Sequence, residues 1–295
     1  MTQKTNLNIS PYYDDFDKDD QFYKVLFKPG FPVQARELTT LQSILQNQLE
    51  SFGTHMFKDG SMVIPGNIAY DPDYYSIKIE REFLGVPVSL YLDELKGKKL
   101  TSNVTGVSVV IDDYLYPEDN SQIDTLTIFV KYINSGPDNV DATMNDGESL
   151  ITDEAFVYGN TPVSAGESVL KLIDDEACFV GSSVSLAAGV YFIRGTFVEV
   201  AADKIVLNPY DNDPSYRVGL NINEQLLTAK QDESLYDNAR GFSNFAAPGA
   251  DRLKIETTLA KKELSDVNDT NFLELIRIDD GEIRFTADKS QYNLI

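Results

Sequence analysis

The chain has 295 residues, of which 42% are hydrophobic and 11% aromatic, enough apolar material for a folded core, so wholesale disorder is excluded. Its 25 Lys and Arg against 47 Asp and Glu leave a net charge of −22. Nucleic-acid binding depends on Lys and Arg neutralising phosphates, so this balance argues against it.

A single cysteine, Cys178, excludes an intrachain disulfide. The N-terminus has no apolar segment of the kind found in signal peptides, and no apolar run approaches the roughly 18 residues of a membrane span. We expect synthesis in the cytoplasm and no membrane insertion.

The first 20 residues are polar and acidic, with three aromatic residues among them. They fit an arm that packs against a neighbouring subunit and a plain surface loop equally well. The one extended helix is predicted over residues 34–52, with Gly53 as its C-terminal cap. Its apolar residues recur at spacings of three, four and seven: Leu38, Leu41, Leu45 and Phe52, widened by Ile44 and Leu49.

The helix has two possible roles. Its other face is neutral and amide-rich, with Gln42 and Gln46. It either packs on the sheet of its own domain or lies between subunits, where glutamines suit a polar contact. We take four residues as the candidate subunit-interface helix: Leu38, Leu41, Leu45 and Phe52.

The remainder of the chain predicts strands. Pro65 and Gly66 mark a turn or bulge within residues 61–70. Short segments rich in β-branched and aromatic residues follow, at residues 76–80, 86–92, 104–111, 125–133, 168–173, 190–200, 204–207 and 252–259. A loop is predicted at residues 134–148. Residues 272–278 and 282–285 flank Asp280-Gly281, a two-residue hairpin signal.

These elements predict a mainly β fold with one substantial α-helix (α+β), built from β-sandwich or barrel-like modules. We place an N-terminal arm, helix and first strands in residues 1–84. A β-rich middle domain follows in residues 85–184. A β-rich C-terminal part occupies residues 185–295 and is expected to pack with the N-terminal part.

Residue patterns that would indicate catalysis or metal binding are weak in this sequence. The chain has one histidine, His55, which rules out a two-histidine metal site and leaves only this residue as an imidazole base. Asp15, Asp17 and Asp19 imitate the start of a calcium loop, but Asp20 stands where that loop needs glycine. Ser168 and Lys171 have the serine-acylase spacing in a predicted strand, where the pair cannot meet. We expect no enzymatic activity, no catalytic or metal residues and no cofactor.

Several stretches resemble one family. They are residues 7–14, 25–50 (VLFKPGFPVQARELTTLQSILQNQLE), 57–70 (FKDGSMVIPGNIAY), 189–200, 216–220, 234–253 and 272–284 (FLELIRIDDGEIR). They are similar to uncharacterised virion proteins of contractile-tailed bacteriophages, especially phages of marine cyanobacteria. Between about Tyr70 and Gly189 the likeness stops, which predicts an insertion. Relatives continue beyond the position of Ile295, which predicts a short or partial version of a longer protein.

The resemblance implies a structural protein of the virion tail or baseplate that attaches fibres. Its expected partners are other tail and baseplate proteins and further copies of itself. The alternative is a receptor- or carbohydrate-binding β-module of a tail fibre, because tyrosines stack on sugars and Tyr74, Tyr75, Tyr114 and Tyr116 fall in loop-like stretches. A glycan-cleaving tail enzyme is a third, weaker possibility. Position in the tail, copy number and symmetry are not encoded in any pattern of the sequence.

Overall fold

A computed structural model describes residues 4–64, 66–118, 120–136 and 143–287 of the chain. It has 43% strand and 13% helix, arranged as several antiparallel sheets and one main helix. The predicted mainly β, α+β class is therefore confirmed. Part of the predicted loop at residues 134–148 and Pro65 of the predicted turn lie outside the described residues.

The main helix, α1, spans Ala35–Met56 and confirms the predicted helix, with an end four residues later than predicted. It begins with a capping box, in which Gln34 precedes the helix and the Glu37 carboxylate accepts from the Gln34 backbone N–H. The assignment of Gly53 as the C-terminal cap is wrong. Gly53 is buried within the helix, whose cap is Phe57. The glycine instead allows close packing of the helix against Phe192.

The described residues also contain a short helix, α2, at Leu92–Leu95 and single 3-10 turns at Lys18–Asp20, Val88–Leu90 and Glu233–Leu235. The strands are β1 Met62–Ile64, β2 Ile68–Lys78, β3 Glu82–Phe83, β4 Val86–Pro87, β5 Lys99–Ser102, β6 Ser108–Leu115, β7 Thr127–Asn134, β8 Ser149–Thr152, β9 Phe156–Tyr158, β10 Thr161–Val163, β11 Ser168–Lys171, β12 Cys178–Leu186, β13 Gly189–Ile193, β14 Thr196–Val200, β15 Asp203–Asn208, β16 Tyr216–Leu227, β17 Arg252–Glu263, β18 Phe272–Asp279 and β19 Glu282–Thr286.

The largest sheet has eight strands in the order β11-β8-β5-β6-β7-β2-β12-β15. Strands β2 and β12 pair along most of their length, from Ile68 opposite Leu186 to Ile77 opposite Cys178. This sheet therefore joins residues from all three predicted domains. The boundaries after residues 84 and 184 stay predictions.

A second sheet has four strands in the order β17-β16-β18-β19. Its last hairpin confirms the predicted Asp280-Gly281 turn, since both residues have positive φ and Asp279 pairs with Glu282. A third sheet has the order β1-β13-β14. Here the single strand predicted over residues 190–200 is wrong, because the chain reverses at Arg194 and Gly195, which both have positive φ, to form a hairpin.

Two other expectations need correction. The strand predicted at residues 86–92 ends after Pro87, where the chain turns into the 3-10 segment and α2. The segment predicted at residues 104–111 pairs only from Ser108. Strands β5, β8, β12 and β16 were not predicted at all, although each lies inside its sheet. The segments at 76–80, 125–133, 168–173, 204–207 and 252–259 are confirmed as parts of β2, β7, β11, β15 and β17.

The main core lies on one face of the eight-stranded sheet, where α2 and the segment before it cover strands β2, β5, β6, β7, β8 and β11. Smaller cores join the three- and four-stranded sheets through residues such as Tyr191, Leu220 and Leu275. Of the helix α1, only Ile44 and Gly53 are buried. Its other residues are exposed or half-buried.

Candidate functional site

The side of α1 that meets the hairpin β13–β14 contacts it through a glycine and a glutamine. Gly53 lies against the ring of Phe192, so closely that a Cβ there would be 2.5 Å from a ring carbon. Two turns earlier, Gln46 Nε2 donates to the carbonyl of Gly195 at 2.9 Å and to Thr196 Oγ1 at 3.2 Å. The hairpin β13–β14 thus holds the helix through a glycine contact and an amide.

The opposite side of α1 points away from the protein. We call it the outward face and define it by Leu38, Gln42, Leu45, Leu49, Phe52 and Met56. Leu45, Leu49 and Phe52 are 57%, 58% and 65% exposed, whereas surface residues on a helix that covers a core are ordinarily polar. The whole face lies among the exposed residues. The helix therefore presents its longest apolar stripe to solvent.

The structure separates the four candidate interface residues. Leu38, Leu45 and Phe52 share the outward face, whereas Leu41 is half-buried at its flank. Ile44, which was expected to widen the same stripe, is buried on the other side. The sequence pattern merged two stripes because each is apolar. That the helix is a subunit interface stays a prediction.

A second exposed apolar surface precedes the helix. We call residues 22–33 the apolar arm, since its large side chains are mostly in solvent: Phe22, Tyr23, Leu26, Phe27, Phe31 and Val33. Sequence reasoning missed this segment. The available signal was a run of aromatic and aliphatic residues without strand alternation, interrupted by Pro29-Gly30 and Pro32.

The start of the chain is fixed to the four-stranded sheet. Glu224 accepts from the backbone N–H groups of Lys4 and Thr5, and Lys4 Nζ reaches Asn271 Oδ1 at 2.6 Å. Glu224 also pairs with Arg194, and both side chains are almost wholly buried. Lys4 and Thr5 are thus held on this subunit, and the apolar arm lies between this anchor and α1.

Polar contacts continue from this anchor to the helix. Tyr12 donates to Asp251 at 2.6 Å, and Arg36 pairs with Asp15 at 2.9 Å. Asp14, largely buried, accepts a hydrogen bond from Ser43. Asp251 holds the pKa of Tyr12 above its ordinary value, first through the hydrogen bond and also through its charge. These contacts use the inward side of α1 and leave its outward face open.

The acidic residues considered for metal binding have structural partners. Asp17 caps the 3-10 turn by accepting from Asp19 N–H, while Asp15 pairs with Arg36. His55 is exposed on the helix, with Nδ1 2.7 Å from the Ser51 carbonyl. Across residues 4–64, 66–118, 120–136 and 143–287, no group of three or more His, Cys, Asp or Glu side chains is placed to hold a metal ion.

The tyrosines taken as possible sugar-stacking residues are not in loops, with the exception of Tyr116. Tyr74 lies within β2, almost wholly buried, with its ring stacked on Phe129 at 4.9 Å. Tyr75 also belongs to β2, and Tyr114 belongs to β6. The basis for the carbohydrate-binding alternative was therefore wrong for three of the four residues.

A groove of about 460 Å³ lies beside the helix, lined by Gln46, Glu50, Arg194, Thr196, Phe197, Val198, Glu199, Leu253 and Ile255. Its one guanidinium, that of Arg194, is already paired with Glu224. Two carboxylates therefore dominate its exposed charge, which favours a basic or apolar segment over a phosphate. Among the helices in the described part of the chain, none is both long and apolar enough for a membrane span.

Comparison with known proteins gives a family without an assigned function. Residues 10–92 and 120–295 match the family model described as "Domain of unknown function (DUF4815)". The family model also matches residues 71–92 and 120–188, so the predicted insertion of the whole middle segment is wrong, and only residues 93–119 within it are unmatched. No curated protein matches the chain. No solved structure matches it either. Because the two matched segments make up most of the chain, the protein belongs to the DUF4815 family.

Proposed function

We propose that the chain is a non-catalytic structural subunit of a bacteriophage virion, in the tail or baseplate of a contractile-tailed particle. In this role it assembles with other tail proteins and with copies of itself, and it attaches fibres. The observation that carries the proposal is the exposed apolar surface made by the outward face and the apolar arm. The sequence resemblance to phage virion proteins supplies the location.

Exposed apolar surface of this extent favours an assembly role. The chain as a whole has an accessible surface of 17248 Å², which exceeds the about 12,500 Å² expected for a compact monomer of this mass. Leu26, Phe31 and Phe52 each have more than half of their area in water. Contiguous apolar patches on soluble proteins mark sites of protein or membrane contact. Residues such as these become buried when a neighbouring subunit covers them.

Charge also favours specific assembly. The chain carries a net charge of −22, so copies repel one another over most of their surface. The outward face contains no ionisable residue. Subunits can therefore approach closely at this face without bringing carboxylates together. A high negative charge then keeps free subunits dispersed until the correct surfaces meet.

The virion location is tested on particles produced by the genome that encodes this chain. Purified particles are examined by mass spectrometry and by electron microscopy with gold-labelled antibodies against the protein. We expect the protein to copurify with particles and the label to lie at the tail. Protein found only in the soluble host fraction, with unlabelled particles, would contradict the proposal.

Assembly is tested on the same particles. The double variant Leu26→Asp/Phe31→Asp places two charges on the apolar arm, where the side chains are exposed in the subunit. We expect this variant to fold and to be absent from particles. The control is Leu84→Asp, which alters an equally exposed side chain outside the arm and should be incorporated normally.

A further inference from the structure

Strand β14 is the end strand of its three-stranded sheet, and its pairing with β13 shows which backbone groups it leaves over. Phe192 of β13, which lies opposite Phe197, donates to the Ser61 carbonyl and accepts from the Gly60 N–H on the β1 side of β13. Phe192 and Phe197 therefore exchange no hydrogen bonds, since the backbone groups of an antiparallel strand alternate in direction. By the same alternation, the N–H and C=O groups of Phe197 and Glu199 point away from β13. We call these four groups the edge groups.

No backbone group in residues 4–64, 66–118, 120–136 and 143–287 bonds to the edge groups. An exposed strand edge is a template for one more strand, and proteins commonly block it with proline, lysine or a bulge. The sequence of β14 is TFVEV, without proline or lysine, and its register with β13 is unbroken. The edge of β14 is therefore suited to pairing with a strand from another chain.

A groove beside this edge gives the side chains of an added strand a place to pack. It is the groove of about 460 Å³ described above, with β14 on one side and Leu253 and Ile255 of β17 on the other. Strand β17 is also the end strand of its sheet. Val198 and Ile255 belong to one apolar core, and Leu253 is 37% exposed. A strand beside β14 would therefore place every second side chain against these apolar residues.

The charge of the groove favours a basic strand. The other side chains of an added strand would lie beside Phe197 and Glu199, because neighbouring residues on adjacent strands share a face. Glu199 is exposed, and the guanidinium of Arg194 is paired with Glu224. A lysine or arginine beside Glu199 would be attracted, and a carboxylate would be repelled. A second copy of this chain, with a net charge of −22, is therefore a poor source of the strand.

We propose that β14 accepts a β-strand from a different protein, in the form of an extended segment with alternating basic and apolar residues. Main-chain hydrogen bonds to the edge groups supply the affinity, and the alternating side chains supply the selection. The apolar residues enter the groove, and the basic residues lie beside Glu199. This inference rests on the proposed structural role and adds the chemistry of one partner.

The first test measures the binding of a defined peptide to the purified full chain. The probe is a short amidated peptide of alternating Lys and Val with an N-terminal fluorophore, followed by fluorescence anisotropy. A salt concentration of about 0.15 M limits unspecific attraction to the acidic chain. The same peptide methylated at every backbone nitrogen keeps its charges but has no main-chain donors, and it should bind at least about tenfold more weakly. Equal binding of the two peptides would overturn the proposal.

The second test locates the bound peptide by hydrogen exchange at single amides. Exchange should slow at the amides of Phe197 and Glu199 when the peptide binds, because each becomes hydrogen-bonded. Unchanged exchange at both amides would place the peptide elsewhere and overturn the proposal. Slow exchange at both amides in the chain alone, appearing as its concentration rises, would assign the edge to a second copy and overturn the choice of partner.

The variant Glu199→Lys tests the charge of the site. The side chain is exposed, so the variant should fold, and the peptide should bind about tenfold more weakly because like charges replace opposite ones. Glu82→Lys in β3 changes an exposed glutamate outside the groove and alters the net charge equally, so it should bind as the wild type does. An equal loss in both variants would show that overall charge attracts the peptide and would overturn the proposal.

The proposed function and this inference fail in different ways. A chain that is found in the tail of purified particles but does not bind the peptide loses the strand site and keeps the virion role. A chain that binds the peptide at β14 but is absent from particles keeps the strand site and loses the virion role.

Discussion

Gly53 of α1 lies directly against the ring of Phe192 in β13. A Cβ at Gly53 would be 2.5 Å from Cε2 and 2.6 Å from Cζ of that ring. Phe192 is fully buried, so its ring has little room to move aside. This contact decides which side of the helix meets the hairpin β13–β14, and so which side is left outward.

Replacing Gly53 with alanine should therefore destabilise the protein. The added methyl group overpacks a buried contact, which costs about 1–3 kcal/mol. The better helix propensity of alanine returns about 1 kcal/mol. We expect a net loss of up to about 2 kcal/mol in the free energy of unfolding, measured by urea denaturation. Thr54→Ala, at the exposed neighbouring position, should stay within about 0.5 kcal/mol of wild type. A more stable Gly53→Ala protein would show that the contact is loose.

Breaking the buried ion pair should have a larger effect. Glu224→Gln leaves the Arg194 guanidinium buried without its counter-charge, and such losses cost about 3–5 kcal/mol. The same carboxylate holds the backbone of Lys4 and Thr5, so we also expect faster proteolysis near the N-terminus. Glu282→Gln is the matched control, since its pair with Arg284 is exposed and is worth about 0–1 kcal/mol. Equal stability of the two variants would contradict this assignment.

Acid should remove the contribution of Glu224 to the free energy of unfolding. Burial alone would raise its pKa, but hydrogen bonds from Arg194, Thr5 and the Lys4 backbone bring the pKa below the ordinary 4.5. A carboxylate with a lowered pKa in the folded state stabilises the fold above the ordinary value and loses that effect as pH falls through the lowered pKa. The gap in unfolding free energy between wild type and Glu224→Gln should therefore be constant from pH 5 to 7. It should shrink below pH 4.5, as followed by urea titrations at each pH.

Lys261 should give a pH dependence of the same sign, but at alkaline pH. Its Nζ donates to Gln122 Oε1 at 2.6 Å and to the carbonyls of Val206 and Leu207, which links β17 to β15. Burial lowers its pKa from 10.5 to about 8, because the charged form loses hydration. Between pH 8 and 10.5 the unfolded chain then binds more protons than the folded chain. The contribution of this group to stability therefore rises across that window.

The comparison with Lys261→Met isolates this effect, since methionine keeps a chain of similar length without the charge. The stability of wild type relative to the variant should increase between pH 7.5 and 10, by no more than about 3 kcal/mol. The measurement is the urea midpoint at each pH. A relative stability that falls over this range would mean that the carbonyl acceptors keep the ammonium group charged.

The sequence by itself determined the local elements. The spacing of leucines predicted α1, β-branched and aromatic residues predicted the end of β2 and most of β17, and Asp280-Gly281 predicted the final hairpin. These patterns depend on residues close in sequence, where backbone geometry and turn chemistry act alone. Two of the unpredicted inner strands, β12 and β16, are interrupted by glycine. Gly181 of β12 and Gly219 of β16 are there because neighbouring backbone comes close. A Cβ would lie 2.5 Å from the Pro209 carbonyl oxygen at Gly181 and 2.0 Å from the Leu273 carbonyl oxygen at Gly219.

Only the tertiary structure decided which apolar stripe of the helix is exposed. Leu41 and Ile44 compete with Leu38, Leu45 and Leu49 for the same role in the sequence, and periodicity cannot choose between them. The choice is made by the hairpin β13–β14, where the carbonyl of Gly195 accepts a hydrogen bond from Gln46, 149 residues earlier in the chain. That long-range contact turns Gln46 toward the hairpin and leaves the outward face in solvent, because the carbonyl of a hairpin turn can accept from an amide but not from a leucine.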